Sequence, residues 1–381
     1  MLQRYLDTYW VNLLLLKSVV ISVLFISSCS TEEPTPKPST LCNISEISFE
    51  SEQSAMLITV NTKESWSIEH LSNWIDFTAT TGRGKTSLLV GATKNDGFGR
   101  IDSFLIKTAK QTHKIYIEQK GAAIVHLDIL SHTLVFVKVE GGTFKIGNYQ
   151  NPHEHDVSLS EYYIGQTEVT NAFWEAIVGS LPYSNENKNY PYTMDDDNPD
   201  FPVTAVSWND IHTTFLPLLH TKTSHTFRLP TEAEWEFAAL GGNKSKGYTF
   251  SGSNILDVVG WDASNANDTK QAVAQLEPNE ISLYDMSGNA AEWCSDWYSD
   301  WYNTTEDTTN PTGPVSGTYK VIRGGSIASE TGILGFHPCH AKQRSYAHPS
   351  GFQGAWGDTG HPDEPVIYKC NEIGFRLVLV R

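Results

Sequence analysis

Between Asp285 and Glu292 the chain reads Asp-Met-Ser-Gly-Asn-Ala-Ala-Glu, which can gather two carboxylates and the intervening backbone carbonyls on one loop. Such a set of oxygen donors suits a hard cation that takes six to eight oxygen ligands. Softer donors are scarcer. Past Cys29 only Cys42, Cys294, Cys339 and Cys370 remain, and His337, His340, His348 and His361 cluster near the last two of these cysteines. Two thiolates with several imidazoles would suit zinc or copper, although the spacings match no established motif. His153 and His155, in Pro-His-Glu-His-Asp, offer two imidazoles without a third ligand and read as a solvated loop. Arg228, Glu232, Glu236, Arg323 and Arg376 read as partners in buried ion pairs, because such residues are rarely buried unless paired. The cysteines are too few for a disulfide-stapled scaffold. A Cys294–Cys339 bridge and a pair of buried free thiols are the two alternatives.

The elements that must hold these groups fall into two stretches. From Ile44 to Gly121 short alternating runs recur at roughly ten-residue spacing: Ile47–Phe49, Met56–Val60, Trp74–Phe77, Ser87–Val90, Ser103–Ile106 and Ile115–Ile117. This pattern predicts an antiparallel β-sandwich, with Trp66 and Trp74 in its core. A second stretch opens at Val135 as strand, turn and strand, followed by strands at Val157–Leu159 and Tyr162–Ile164. Thr170 or Asn171 can cap a helix beginning near Phe173, a second helix is expected after Ser207–Asp210, and Thr231 with Glu234 forms a capping box for a third.

Several separated landmarks of the second stretch occur in one order: Arg228-Leu229-Pro230-Thr231-Glu232-Ala233-Glu234-Trp235-Glu236, Gly288-Asn289-Ala290-Ala291-Glu292-Trp293, Arg323-Gly324-Gly325-Ser326 and Gly374-Phe375-Arg376. Across residues 135–381 they resemble the formylglycine-generating enzyme (sulfatase-modifying factor) family. The resemblance implies an α+β, C-type-lectin-like fold with much irregular loop. It also implies a calcium site using the Asp285 and Glu292 side chains with the Gly288 and Ala290 carbonyls. The resembled enzymes oxidise a substrate cysteine with copper held between two thiolates, and here those two positions are Ser329 and Leu334. Neither replaces a thiolate, so copper is not expected, and Cys339 matches a structural rather than a catalytic family cysteine. Residues 42–121, with Trp66-Ser67-Ile68, Trp74-Ile75, Asn95 to Arg100 and Ile115 to Gly121, resemble the BACON domain, an all-β, immunoglobulin-like module associated with carbohydrate binding or with spacing.

Residues 1–28 read as an export signal, in which Arg4 and Lys17 flank an apolar stretch too short for a confident membrane span. Ile26-Ser27-Ser28-Cys29 resembles a bacterial lipobox cut before a diacylated Cys29, and Ser30 to Glu33 resembles an acidic signal for the cell surface. Residues 29–41, with Pro34-Thr35-Pro36-Lys37-Pro38, then form a stiff lipidated tether. With 44 Asp and Glu against 27 Lys and Arg the chain carries a net charge of −17, which repels nucleic acid and anionic headgroups. The expectation is a lipoprotein anchored in the outer membrane, with a catalytically degenerate domain that binds a glycan, a peptide or an envelope protein. Two rivals stand beside it: an oxidoreductase with an altered site using Cys339 and Cys370, and a structural part of an envelope machine, as in gliding-motility lipoproteins that resemble this domain.

Overall fold

Strict alternation of apolar and polar residues makes two-faced strands, and the first eight strands show it most clearly at Thr112–Gln119, where every second residue is buried. The computed structural model describes residues 41–147, 154–182, 197–299, 308–330, 337–350 and 372–380. Its first strands are β1 (Glu46–Phe49), β2 (Ser54–Val60), β3 (Ser65–Glu69), β4 (Ile75–Phe77), β5 (Thr81–Arg83), β6 (Thr86–Ala92), β7 (Arg100–Thr108) and β8 (Thr112–Gln119). They form one sheet in the order β1-β8-β7-β3-β5 and a smaller one in the order β2-β6-β4. Both line one core around Ile58, Trp66, Val90, Phe104, Ile115 and Ile117. Trp66 and Trp74 are buried, the first over Gly82, where any Cβ would strike the indole. The Arg100 guanidinium lies 4.5 Å from the Trp74 ring centroid.

The remaining strands are β9 (Ile124–Ile129), β10 (His132–Val139), β11 (Gly142–Ile146), β12 (His155–Leu159), β13 (Tyr162–Gly165), β14 (Thr226–Arg228), β15 (Ala291–Trp297), β16 (Lys320–Arg323), β17 (Arg344–Ala347), β18 (Ile373–Gly374) and β19 (Val378–Val380). A five-stranded sheet runs β14-β19-β13-β10-β9, β11 and β12 make a hairpin, and a four-stranded sheet runs β17-β16-β15-β18. The strand expected at Val135 begins at His132 and pairs with β9, an edge strand that the sequence pattern did not disclose. Among the described residues the structure is mostly sheet with few, short helices. Alternate residues of β10 and β13 divide between two cores: Phe136 and Tyr163 face one, Val137, Val139, Tyr162 and Ile164 the other.

Helices cover both faces. Thr170 caps α1 (Asn171–Val178) by accepting from the Phe173 N–H at 3.3 Å. Ser207 and Asp210 form a capping box on α2 (Trp208–Asp210), so this helix starts inside the segment that was expected to precede it. It passes through a π-helical turn, Ile211–Phe215, into α3 (Leu216–Lys222), whose first turn contains Pro217. Proline supplies no N–H to continue the i→i−4 ladder, which accounts for the widened turn just before it. Thr231 and Glu234 make the expected capping box on α4 (Glu232–Ala239), and α5 (Leu256–Val259) is a single turn. No helix among the described residues is long and apolar enough to cross a membrane.

The two groups of strands meet tightly. Tyr163 donates its hydroxyl to the Ala122 carbonyl at 3.1 Å, Phe98 packs edge-on against Tyr163 at 5.1 Å, and a Cβ on Gly121 would collide with the Tyr163 hydroxyl.

Candidate functional site

The Arg323-Gly324-Gly325-Ser326 segment leaves β16 through two left-handed residues, Gly324 at φ +94° and Gly325 at φ +71°. Gly325 needs to be glycine twice over, because a Cβ there would lie 2.8 Å from both the backbone nitrogen and the Sγ of Cys339. The turn is closed by the Ser326 N–H donating to Ser329 Oγ at 2.9 Å and the Ser329 N–H donating to the Ser326 carbonyl at 3.0 Å. Ser329 therefore sits buried beside the Cys339 thiol. Burial pushes that thiol up to about 12, despite a hydrogen bond with Ser329, so with no metal bound it stays protonated at neutral pH. Leu334 and Cys370 lie outside the described residues, as do Cys29, His153 and His361.

Cys294 is also fully buried, and burial raises its thiol far above the ordinary range. Cys294 and Cys339 are unbridged, which selects the free-thiol alternative for the described cysteines. The histidines near Cys339 are occupied. His337 Nε2 pairs with Asp262 at 3.0 Å while its Nδ1 accepts the Cys339 N–H at 3.1 Å. His340 Nδ1 accepts the Lys342 N–H at 3.0 Å, and burial draws its ring down to about 4. His348 Nδ1 lies 2.6 Å from Ser350 Oγ. Among the described residues no three His, Cys, Asp or Glu side chains are placed to hold a metal ion.

The Asp285–Glu292 loop is built differently from a row of free donors. Glu292 is fully buried against Arg376, which donates Nε to Oε2 at 2.7 Å and Nη2 to Oε1 at 2.6 Å, and Trp235 Nε1 adds a third bond at 2.7 Å. Both oxygens are thus committed, and Arg376 is itself tied to the Gly165 and Tyr284 carbonyls. Asp285, at φ +57°, accepts the Ala274 N–H on Oδ2 at 2.7 Å, while its buried Oδ1 has no hydrogen-bond partner among the described residues. Burial raises its carboxyl to about 6.

Beside it is Glu168, which the sequence pattern marked only as the approach to a helix cap. Its Oε1 accepts the Ala290 N–H at 3.1 Å and its Oε2 has no hydrogen-bond partner among the described residues. Burial, then the charges of Asp285 and Glu292, push its carboxyl well above the ordinary value. Lys270 is buried on Thr204 Oγ1, and burial lowers its ammonium to about 7 against the pull of Glu168. Sequence offered no signal for this grouping, since both Glu168 and Lys270 stand in polar stretches.

A second network spans the other face. Arg323 donates Nη2 to Glu236 Oε2 at 2.6 Å and Nη1 to Glu232 Oε1 at 3.3 Å, and Arg344 clamps both oxygens of Glu232. Arg228 makes a bidentate pair with Glu234 at 2.6 and 2.7 Å. Together with the Arg376–Glu292 pair, these contacts place all five charged residues singled out from the sequence in ion pairs. Glu232 and Arg344 line an open cleft with His155, Trp297, Pro311 and Asp296. Asp296 accepts the Glu232 N–H at 3.0 Å and the Ser295 hydroxyl at 2.9 Å; burial, reinforced by Glu232, raises its carboxyl to about 7.

A family model described as the sulfatase-modifying factor enzyme 1-like domain matches residues 131–380. The chain is 35% identical over 201 residues to the chaperone protein LppX of Paenibacillus barcinonensis, a match covering 42% of this chain and 70% of that protein. It is 32% identical over 141 residues to the formylglycine-generating enzyme of Streptomyces coelicolor, covering 34% of this chain and 42% of the enzyme, so it spans less than half that enzyme's length. Among solved structures it is similar to Treponema denticola variable protein 1, with a TM-score of 0.54 and 27% identity over 68% of this chain and 99% of that one.

Proposed function

The chain belongs to the sulfatase-modifying factor enzyme 1-like family, and from that premise we propose that it is a binding or scaffolding member that does not generate formylglycine. The observation that carries the reading is Ser329. At the position matched to the first redox cysteine stands a buried hydroxyl bonded to Ser326, beside a Cys339 thiol held neutral by burial. Oxygen activation at copper needs a pair of thiolates, and a hydroxyl is a poor Cu(I) ligand. The partner is a glycan, a peptide or an envelope protein. A sulfatase-motif peptide incubated with the protein, copper, reductant and oxygen is expected to keep its cysteine by intact mass. Conversion above a metal-only control, lost in Cys339→Ser, would refute the reading and support the altered oxidoreductase using Cys339 and Cys370.

We further propose that residues 42–121 are a BACON-like, immunoglobulin-type module; its support is the pair of sheets closed on one core. Membrane attachment through a lipidated Cys29, at the outer-membrane surface, is likewise proposed from sequence. Calcium at the Asp285 loop is kept in a narrower form. Glu292 does not fit as a ligand while Arg376 and Trp235 hold both its oxygens. The unpartnered Asp285 Oδ1 and Glu168 Oε2 fit a hard cation, with the Gly288 and Ala290 carbonyls as further oxygen donors. A bound cation there would supply the positive charge that two buried carboxylates need to ionise.

A further inference from the structure

The open cleft lined by residues of α4, β12 and β15 holds a carboxyl that its neighbours leave half satisfied. Asp296 is only 5% exposed. Its Oδ2 takes both of its hydrogen bonds, from the Glu232 N–H and the Ser295 hydroxyl, and Oδ1 has no hydrogen-bond partner among the described residues. That oxygen faces Gly313, another residue of the cleft wall, where a Cβ would lie 3.0 Å from Oδ1. Gly313, at φ +71° and without a side chain, leaves the oxygen uncovered. A buried carboxylate oxygen without a donor is destabilising, so a ligand that brings a donor into the cleft gains what the chain itself does not supply.

Size and charge narrow the donor. Ile146, Val157, Trp297, Pro311 and Pro314 give the cleft apolar sides, and its cavity volume is about 30 Å³. A single water needs roughly 10–15 Å³ by the same measure, so a small polar head on a slim apolar stem is admitted and a sugar ring or a planar base is not. Two carboxyls, Asp296 and Glu232, line the cleft. Arg344 gives Nε and Nη2 to Glu232 and Nη1 to the Ser299 carbonyl, so its charge is already paired. Lys320 feels the charge of Asp296 without reaching it: its ammonium donates to the Ser295 carbonyl at 2.7 Å and lies 4.1 and 3.8 Å from the Trp208 and Trp297 ring centroids. An anion entering the cleft would thus meet two acids and no uncommitted cation. A hydroxyl or an amide would bring an acceptor of its own, whereas an ammonium carries donors alone and its charge answers Asp296. A guanidinium, planar and three nitrogens broad, is too wide for the volume. The net charge of −17 draws cations from longer range.

We propose that this cleft is a slot for a lysine side chain of a partner peptide or protein, with the ammonium on Asp296 Oδ1 and the methylene stem along Val157, Pro311 and Pro314. The stem covers the apolar walls while the head finds its acceptor, as lysine does wherever chain and charge face different surroundings. The inference rests on the binding reading above and gives it a place and a partner class. The full chain, in detergent, is kept at pH 8, above the value of about 7 at which Asp296 gives up its proton. It is titrated with the capped peptide Gly-Lys-Gly and with the same peptide carrying acetyl-lysine, norleucine or arginine at the centre, binding being read from saturation-transfer NMR signals of the peptide. The lysine peptide is expected to bind about tenfold more tightly than the acetyl-lysine and norleucine peptides, the scale of one hydrogen bond to a charged group, and measurably more tightly than the arginine peptide. Asp296→Asn keeps an acceptor without the charge and should weaken lysine binding about tenfold, whereas Glu46→Gln, at an exposed acid of β1, should leave it unchanged. Should Asp296→Asn fail to fold, the peptide series on the parent protein decides alone. The proposal falls if the lysine peptide does not bind, if any of the three other peptides binds as tightly, or if folded Asp296→Asn binds as the parent does. A failed titration with the sulfatase-motif cysteine left intact removes this inference alone, whereas oxidation of that cysteine removes the binding reading with it.

Discussion

Replacing Asp296 by Asn tests whether the cleft beside Arg344 stores an electrostatic cost at neutral pH. The buried carboxyl has its proton affinity raised from the ordinary 3.8 to about 7, so the folded state holds the proton more tightly than the unfolded chain. Stability from this site is therefore fully present below 3.8 and is lost as pH rises through about 7. At about 1.36 kcal/mol for each tenfold change in proton affinity, the distance from 3.8 to about 7 corresponds to a loss of about 4 kcal/mol. Asn keeps an oxygen to accept from the Glu232 N–H and the Ser295 hydroxyl but cannot ionise. Urea unfolding of both proteins from pH 4 to pH 8 is expected to show the variant gaining on the parent with rising pH, by up to about 4 kcal/mol, with most of the change between pH 4 and 7. Buried acids that do not interact with Asp296 cancel in the difference, whereas the Glu232 contribution is part of what it reads. A difference that stays flat across this range would refute the argument that burial and Glu232 hold Asp296 protonated.

Arg376→Ala should cost about 3–5 kcal/mol in urea unfolding, because it strands Glu292 as an unpaired buried charge; a change under 1 kcal/mol would mean that the pair carries little. If Asp285 and Glu168 hold calcium, EGTA should lower the melting temperature of the calcium-saturated protein and leave Asp285→Asn unmoved; no EGTA effect on the parent removes the site. Cys29→Ala should release the protein from cell membranes, and continued attachment would point to a spanning N-terminal segment.

Elements whose cause is local were legible from the sequence. Alternation at Ile115–Ile117, the Thr231–Glu234 capping box and the Thr170 cap each depend on residues within one turn or strand. Strand order was not, since β19 from the far end of the chain is inserted between β13 and β14, and no periodicity encodes that pairing. The same limit governed the site. The two partners of Glu292, Arg376 and Trp235, lie 84 and 57 positions away, beyond any local pattern, and the acid neighbours of Glu168, Asp285 and Glu292, are remoter still. Ser329 was singled out only by aligning the Gly324-Gly325-Ser326 landmark with the resembled family, and no local pattern marks it.

The joint at Gly121 and Tyr163 fastens the first eight strands to the sheet that follows. Phe98 wedges edge-on against Tyr163, the Ala122 carbonyl is pinned by the tyrosine hydroxyl, and β9 enters the neighbouring sheet two residues later. With so little chain between them and a ring seated in the seam, rotation of one part about the other would have to break the hydrogen bond and pull Phe98 out of its packing. The Gly121–Ala122 stretch thus does the work of a hinge with its pivot filled, and turning one part against the other costs a hydrogen bond and a packed ring.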